Sequence, residues 1–316
     1  SNMISIILFV WLLKWGLIGV LLSLIISVSF PTLQMIVSGK ILDFIDISLI
    51  RKDVLTELLK YSWPMVPNSM SMWIMNASDR LVITYFLGIE ANAIYAVAKK
   101  IPNILTIVQG TFTMAWHESA SIASSDDDVS TYYSNMFDTV IRLMSGMMIV
   151  IIVFLPLIFN ILIRGDYQES YVQIPIILLA MFFYSICSYL GGIYVAQKKT
   201  FNVGITTVVS AAVNLIICLL FVQKIGLFAA SISTLVSYIF LAFYRMFNVR
   251  KFVKIKYNYK IIFLIVVALF ILTYLGCLHS KMPFVIECAF GIPFAIIINR
   301  HYIVHIARYV VCGLRH

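Results

Sequence analysis

The chain has 316 residues, of which 62% are apolar and only 12% charged, with a formal net charge of +9; its mean hydropathy is +0.99. Such a composition excludes an ordinary soluble domain and predicts an all-α polytopic membrane protein, because repeated apolar runs of about 20 residues fit a hydrocarbon core of ~30 Å at 1.5 Å rise per residue. The basic excess lies between apolar runs, as membrane topology demands, so nucleic-acid binding is excluded. The five cysteines carry no CxxC pairing and read as reduced packing residues, without disulfide or metal spacing.

In chain order, residues 4–13 are too short to span and run into Lys14-Trp15-Gly16, ahead of a full span over about 17–37. Residues 1–30 align without gaps on residues 211–240, with identities at Ile6/Ile216, Ile7/Ile217, Lys14/Lys224, Gly16/Gly226, Leu17/Leu227, Ser23/Ser233, Ser27/Ser237 and Phe30/Phe240. Internal repeats of this kind are the ground plan of secondary transporters. The second copy is preceded by about four more spans and the first by none, so the sequence reads as the C-terminal part of a longer architecture. Residues 38–60 are rich in charge, with Val54, Leu55, Leu58 and Leu59 at helical spacing. They fit either an amphipathic helix lying on the membrane or a solvated connector.

Residues 61–120 predict two long apolar helices meeting at a turn near Gly88. Ionisable groups sit deep within both: Asp79 and Arg80 in the first, Lys99 and Lys100 in the second. Because 79 and 100, like 80 and 99, are symmetric about 89.5, the four are expected at one level, roughly 14 to 16 Å below the turn. Asn76 on the first helix and Asn103 and His117 on the second fall on the same polar stripes. Two such stripes call for a wet cavity, and three cations against one carboxylate call for an anionic ligand. The expectation is that Arg80 and Lys99 hold an anion while Asp79 tethers Lys100. A plain structural ion pair between Asp79 and Lys100 is the competing reading.

The run Ser124-Ser125-Asp126-Asp127-Asp128 reads as helix capping rather than a metal site. One span is expected over about 133–163, containing Arg142, which either lines a cavity or packs against Asp138. Further spans are expected over about 171–196, 201–222, 226–247, 261–278 and 283–298, followed by a basic amphipathic tail. His301 and His305 in that tail read as an interfacial face rather than a ligand pair. Counting Lys and Arg in alternate connectors gives fifteen on one side and four on the other, which makes the first side cytoplasmic, with the C-terminus.

No nucleophile with a base, no paired acids, no metal cluster and no Walker motif stand out. The nearest approach to a reactive set, Trp116-His117-Glu118, fails because adjacent residues point about 100° apart on a helix, leaving His117 and Glu118 as candidates for a cavity wall. The reading is therefore a transporter and no enzyme, with no cofactor and no metal.

The run LLKYSWPMVPNSMSMWIMNASDRLVITYFLG, with AIYAVAKKIPNIL and TMAWHESA after it, closely resembles the polysaccharide repeat-unit flippases, the Wzx-type O-antigen and capsule transporters of the multidrug/oligosaccharidyl-lipid/polysaccharide exporter superfamily. The segment Tyr171 to Leu179, the turn Gly191-Gly192-Ile193-Tyr194, and Asn214 followed by Gly226-Leu227 extend the match over essentially the whole chain. The resemblance implies a two-lobe, alternating-access fold, of which this chain holds the end of the first lobe (1–37), a cytoplasmic amphipathic linker (38–60), the six-helix second lobe (61–248) and two extra helices with a basic tail (249–316). It implies a polyprenyl-pyrophosphate-linked oligosaccharide as substrate, ion coupling, a place in the bacterial cytoplasmic membrane, and glycan polymerase and other assembly proteins as partners. The substrate would then meet Arg80, Lys99, Lys100, Asn76 and Asn103, with Asp79 in ion coupling. The alternatives are a multidrug or lipid II exporter of the same superfamily and a membrane-embedded glycan polymerase or acyltransferase.

Overall fold

The computed structural model describes residues 5–12, 14–40, 46, 51–126, 128–165, 167–278 and 287–300. Among these there are only helices and turns, and seven helical segments are long and apolar enough to cross a membrane. The tail with His301 and His305, Asp127, Asp166, Cys312 and most of residues 41–50 lie outside the described residues.

The chain divides into two units, 1–59 and 60–316. In the first, a π-helical turn over Ile7–Leu12 leads into α1, Gly16–Ser38. The reversal between them is tight: the Trp15 amide donates to the Phe9 carbonyl at 3.1 Å and the two rings stack at 5.4 Å. Gly16 takes a φ of +53° and Gly226, its counterpart in the repeat, +60°; each lies at the start of a helix, in the region that glycine adopts without strain. The serines of the repeat agree as well. Ser23 and Ser233 are both fully buried and each donates its hydroxyl to the carbonyl three residues earlier.

Helix α2, Lys52–Ser62, straddles the boundary between the units and leaves Val54, Leu55, Leu58 and Leu59 exposed. The second unit continues with α3, Met65–Ala98; α4, Pro102–Ala123; α5, Val129–Val153; α6, Leu155–Leu162; α7, Gln168–Ala196; α8, Thr200–Ile225; α9, Phe228–Asn248; α10, Tyr259–Cys277; and α11 over 287–300. The single span expected over 133–163 is two helices, because Pro156 opens a new helix after Phe154. The 31 residues of 133–163 are also more than one crossing needs. Asp128 stands at the N-terminal cap of α5, but its side chain makes no capping bond.

Helix α7 is the axis of this unit and packs against α4, α5, α9 and α10, while α3 lies along α8 and α8 along α9. Without a hydrophobic drive between helices in lipid, close packing through small residues holds such a bundle together. Gly191 and Gly192, expected at a turn, are inside α7 for this reason. A Cβ on Gly192 would stand 2.5 Å from the indole of Trp116. That indole stacks on Tyr189 at 4.4 Å and donates to the Tyr189 carbonyl at 2.9 Å. Tyr189 donates to the carbonyl of Tyr133 and Tyr133 to that of Ala120, so one aromatic cluster ties α4, α5 and α7.

Candidate functional site

Helix α3 is a hairpin. Gly88 breaks it with φ 92° and ψ 175°, a conformation open to glycine alone. A continuous helix would put Asp79 and Tyr95 about 24 Å apart, yet the Tyr95 hydroxyl donates to Asp79 Oδ2 at 3.0 Å. The returning arm ends at Ala98, and Pro102 starts α4 from its first turn, where a missing N–H is harmless.

Asp79 is 1% exposed. Its Oδ2 accepts from Tyr95, from Thr234 Oγ1 at 3.0 Å and from Lys99 Nζ at 3.5 Å; the ammonium also stands 4.9 Å over the Tyr95 ring. This corrects the expected partner: Asp79 pairs with Lys99, and Lys100 is exposed. The chain reverses at Gly88 rather than about 89.5, so Tyr95 and Lys99, one helical turn apart on the returning arm, share the face that meets Asp79, and Lys100 points about 100° away. Lys99 is thereby occupied inside the protein. Arg80 and Lys100 are the exposed cations, neither with a carboxylate within ion-pair distance among the described residues. Asn76, one turn before Arg80, and Asn103 beyond Lys100 are exposed beside them.

Two buried oxygens near this point are without a hydrogen bond among the described residues, Asp79 Oδ1 and Asn214 Oδ1. The amide nitrogen of Asn214 donates to Ser233 and Thr234, the latter also bonded to Asp79. The site is therefore assembled from both arms of α3 and from α8 and α9. Its two spare acceptors, a carboxylate oxygen and an amide oxygen, are of the kind that takes up a proton or a small hard cation.

The remaining candidates lie apart. His117 is half-buried on α4 and lines a cavity of about 150 Å³ at the end of the bundle, whereas Glu118 is exposed; the two do not meet in one site. Arg142 donates to the carbonyl of Ile298 at 3.0 Å and so fastens α5 to α11, with no ion pair to Asp138. A larger, apolar cavity of about 510 Å³ opens between α4, α5 and α11. No cluster of three His, Cys, Asp or Glu side chains suited to a metal occurs among the described residues.

Sequence reasoning missed Thr234, which carries no signal of its own, and misread Arg245. Counted with the basic connector after α9, Arg245 is in fact inside that helix and 4% exposed. Removing it from the charge count leaves the asymmetry intact.

Comparison with known proteins gives two findings. The profile described as "Polysaccharide biosynthesis protein" matches residues 1–173. A solved structure, "Lipid II flippase MurJ, inward closed conformation", superposes with a TM-score of 0.65 at 17% identity, covering 97% of this chain. The chain spans about two thirds of the length of that protein, 66%. A comparison with curated protein sequences finds no match.

Proposed function

Because the chain belongs to the polysaccharide biosynthesis protein family, we propose that it carries polyprenyl-pyrophosphate-linked oligosaccharide repeat units across the bacterial cytoplasmic membrane by alternating access, driven by an ion gradient, and that it is a transporter and not an enzyme. The observation that carries this reading is the charge arrangement of the α3 hairpin: two exposed cations, Arg80 and Lys100, with no ion pair among the described residues, next to a buried Asp79–Lys99 pair.

Arg80 grips the pyrophosphate through its bidentate fork and Lys100 as a point charge, with Asn76 and Asn103 offering amides to the sugars. The apolar cavity of about 510 Å³ suits part of a lipid chain. In the coupling step a proton or small cation binds the spare oxygens of Asp79 and Asn214 and neutralises the carboxylate. Lys99 is then released toward Arg80 and Lys100, and the anionic linkage is held by three cations rather than two. When the ion leaves, Lys99 returns to Asp79 and the substrate is let go. Lipid II export is the second reading, favoured by the fold shared with the MurJ structure.

The test is glycan export by cells producing the complete gene product. Arg80→Ala and Lys100→Ala should each cut export at least tenfold at normal protein levels, and Arg80→Lys should keep part of it. If both alanine variants export normally, the cationic pair is not the substrate site. Rescue of a strain lacking its lipid II exporter, without rescue of repeat-unit export, would select the second reading.

A further inference from the structure

Arg245 is a fully charged group buried with neutral company. Its Nε donates to Thr206 Oγ1 at 3.1 Å, Nη1 to the Cys187 carbonyl at 2.7 Å, and Nη2 to the Val203 carbonyl, Thr206 Oγ1 and Thr207 Oγ1 at 3.2, 2.9 and 2.9 Å. Among the described residues no carboxylate is within ion-pair distance of it. An arginine does not shed its proton, so the positive charge stays, and a buried charge is costly without a partner. A guanidinium has five N–H donors, and these bonds leave one hydrogen on Nη1 unused.

That nitrogen lies beside Gly191. A Cβ on Gly191 would stand 3.1 Å from Nη1, so glycine keeps the approach free, and both residues line the cavity of about 150 Å³ already noted. Polar walls include Asn68, Thr113, His117, Tyr184, Ser188 and Thr207, and among the described residues no Asp or Glu lines the cavity. Thr113 and Ser188 join hydroxyls at 2.8 Å, while Thr207 donates to Asn68 Oδ1 at 2.6 Å. The volume holds about five waters at ~30 Å³ each, which suits one tetrahedral oxyanion and is too small for an oligosaccharide. Asn68 precedes Asp79 by eleven residues of α3, so the cavity is about 16 Å along the bundle from that site. It occupies the end where α3 and α8 begin and α4, α7 and α9 finish.

We propose that this cavity binds a single phosphate group, with Arg245 as its fixed countercharge and the His117, Thr113 and Ser188 side chains as hydrogen-bonding partners. The phosphate comes free in solution or on a lipid headgroup; the chemistry recognised is the same.

Thermal unfolding of the purified full chain in detergent tests this, with gluconate replaced at constant ionic strength by inorganic phosphate, by short-chain phosphatidic acid or by chloride. Inorganic phosphate at a hundredfold excess over its Kd should raise the Tm by about 4 °C. A response to both phosphate ligands supports the site for either source, and a response to phosphatidic acid alone assigns it to a headgroup. Two variants leave Arg245 and its bonds in place. Ser188→Leu fills the cavity and should abolish the response, and Asn68→Asp supplies a built-in anion and should abolish it while unfolding no lower than the parent in gluconate. Wild-type protein unresponsive to both phosphate ligands, a response to chloride alone, or an undiminished response in both variants would overturn the proposal.

Discussion

Asp79 and Lys99 can be a static clasp or a switch, and the two roles predict different behaviour on exchange. A clasp needs only opposite charges in contact, so Asp79→Lys combined with Lys99→Asp would restore function as well as folding. The switch needs the carboxylate where it stands, with one oxygen left without a hydrogen bond among the described residues and the other held by Tyr95 and Thr234. The exchanged protein is therefore expected to accumulate in the membrane yet export less than a tenth of the wild-type amount. Export at the wild-type level would reduce the pair to a clasp. That Asp79 would be buried and partnered was legible from its depth in an apolar run, since hydrocarbon does not tolerate a bare carboxylate. Its partner was not, because Lys99 and Lys100 differ by one residue of helical phase and placing the turn a residue or two away from Gly88 exchanges them.

At the scale of elements, the glycines divide by what a side chain would meet. Gly192→Ala puts a methyl 2.5 Å from the rigid indole of Trp116. Overpacking of that kind costs about 1–3 kcal/mol, so the variant should unfold several degrees below wild type in detergent. Gly110→Ala is the control: nothing is within 4 Å of the added carbon, and no loss is expected. Equal Tm values for the two would deny the α4–α7 contact. Gly88→Ala acts by another route, since the φ of 92° is closed to L side chains; strain of about 1–3 kcal/mol should open the hairpin and detach Asp79 from Tyr95. The spans themselves were readable from hydropathy, and the repeat from one Lys-x-Gly-Leu turn with two serines. The split at Phe154 was not, because an apolar run does not distinguish one long helix from a helix and a short neighbour. Gly191 and Gly192 misled for a related reason: two glycines mark a turn in water and a helix contact in lipid.

For the whole molecule, the charge asymmetry sets the orientation. Cysteines placed at Glu169 and Lys254, both exposed, in a chain without its native five, should react from opposite faces of intact cells, Glu169→Cys with an impermeant reagent from outside. Labelling of Lys254→Cys from outside would invert the topology. The fold class and family were within reach of the sequence because composition and a few motifs carry them. The cluster around Asp79 was only half visible, since it gathers residues from α3, α8 and α9 that no spacing links. The most direct measurement is uptake of a labelled polyprenyl-diphosphate oligosaccharide into sealed inverted vesicles containing the complete gene product, with the ion gradient present or collapsed. Uptake should need the gradient and disappear in Asp79→Asn; uptake that ignores the gradient and survives Asp79→Asn would contradict ion-coupled export through this site.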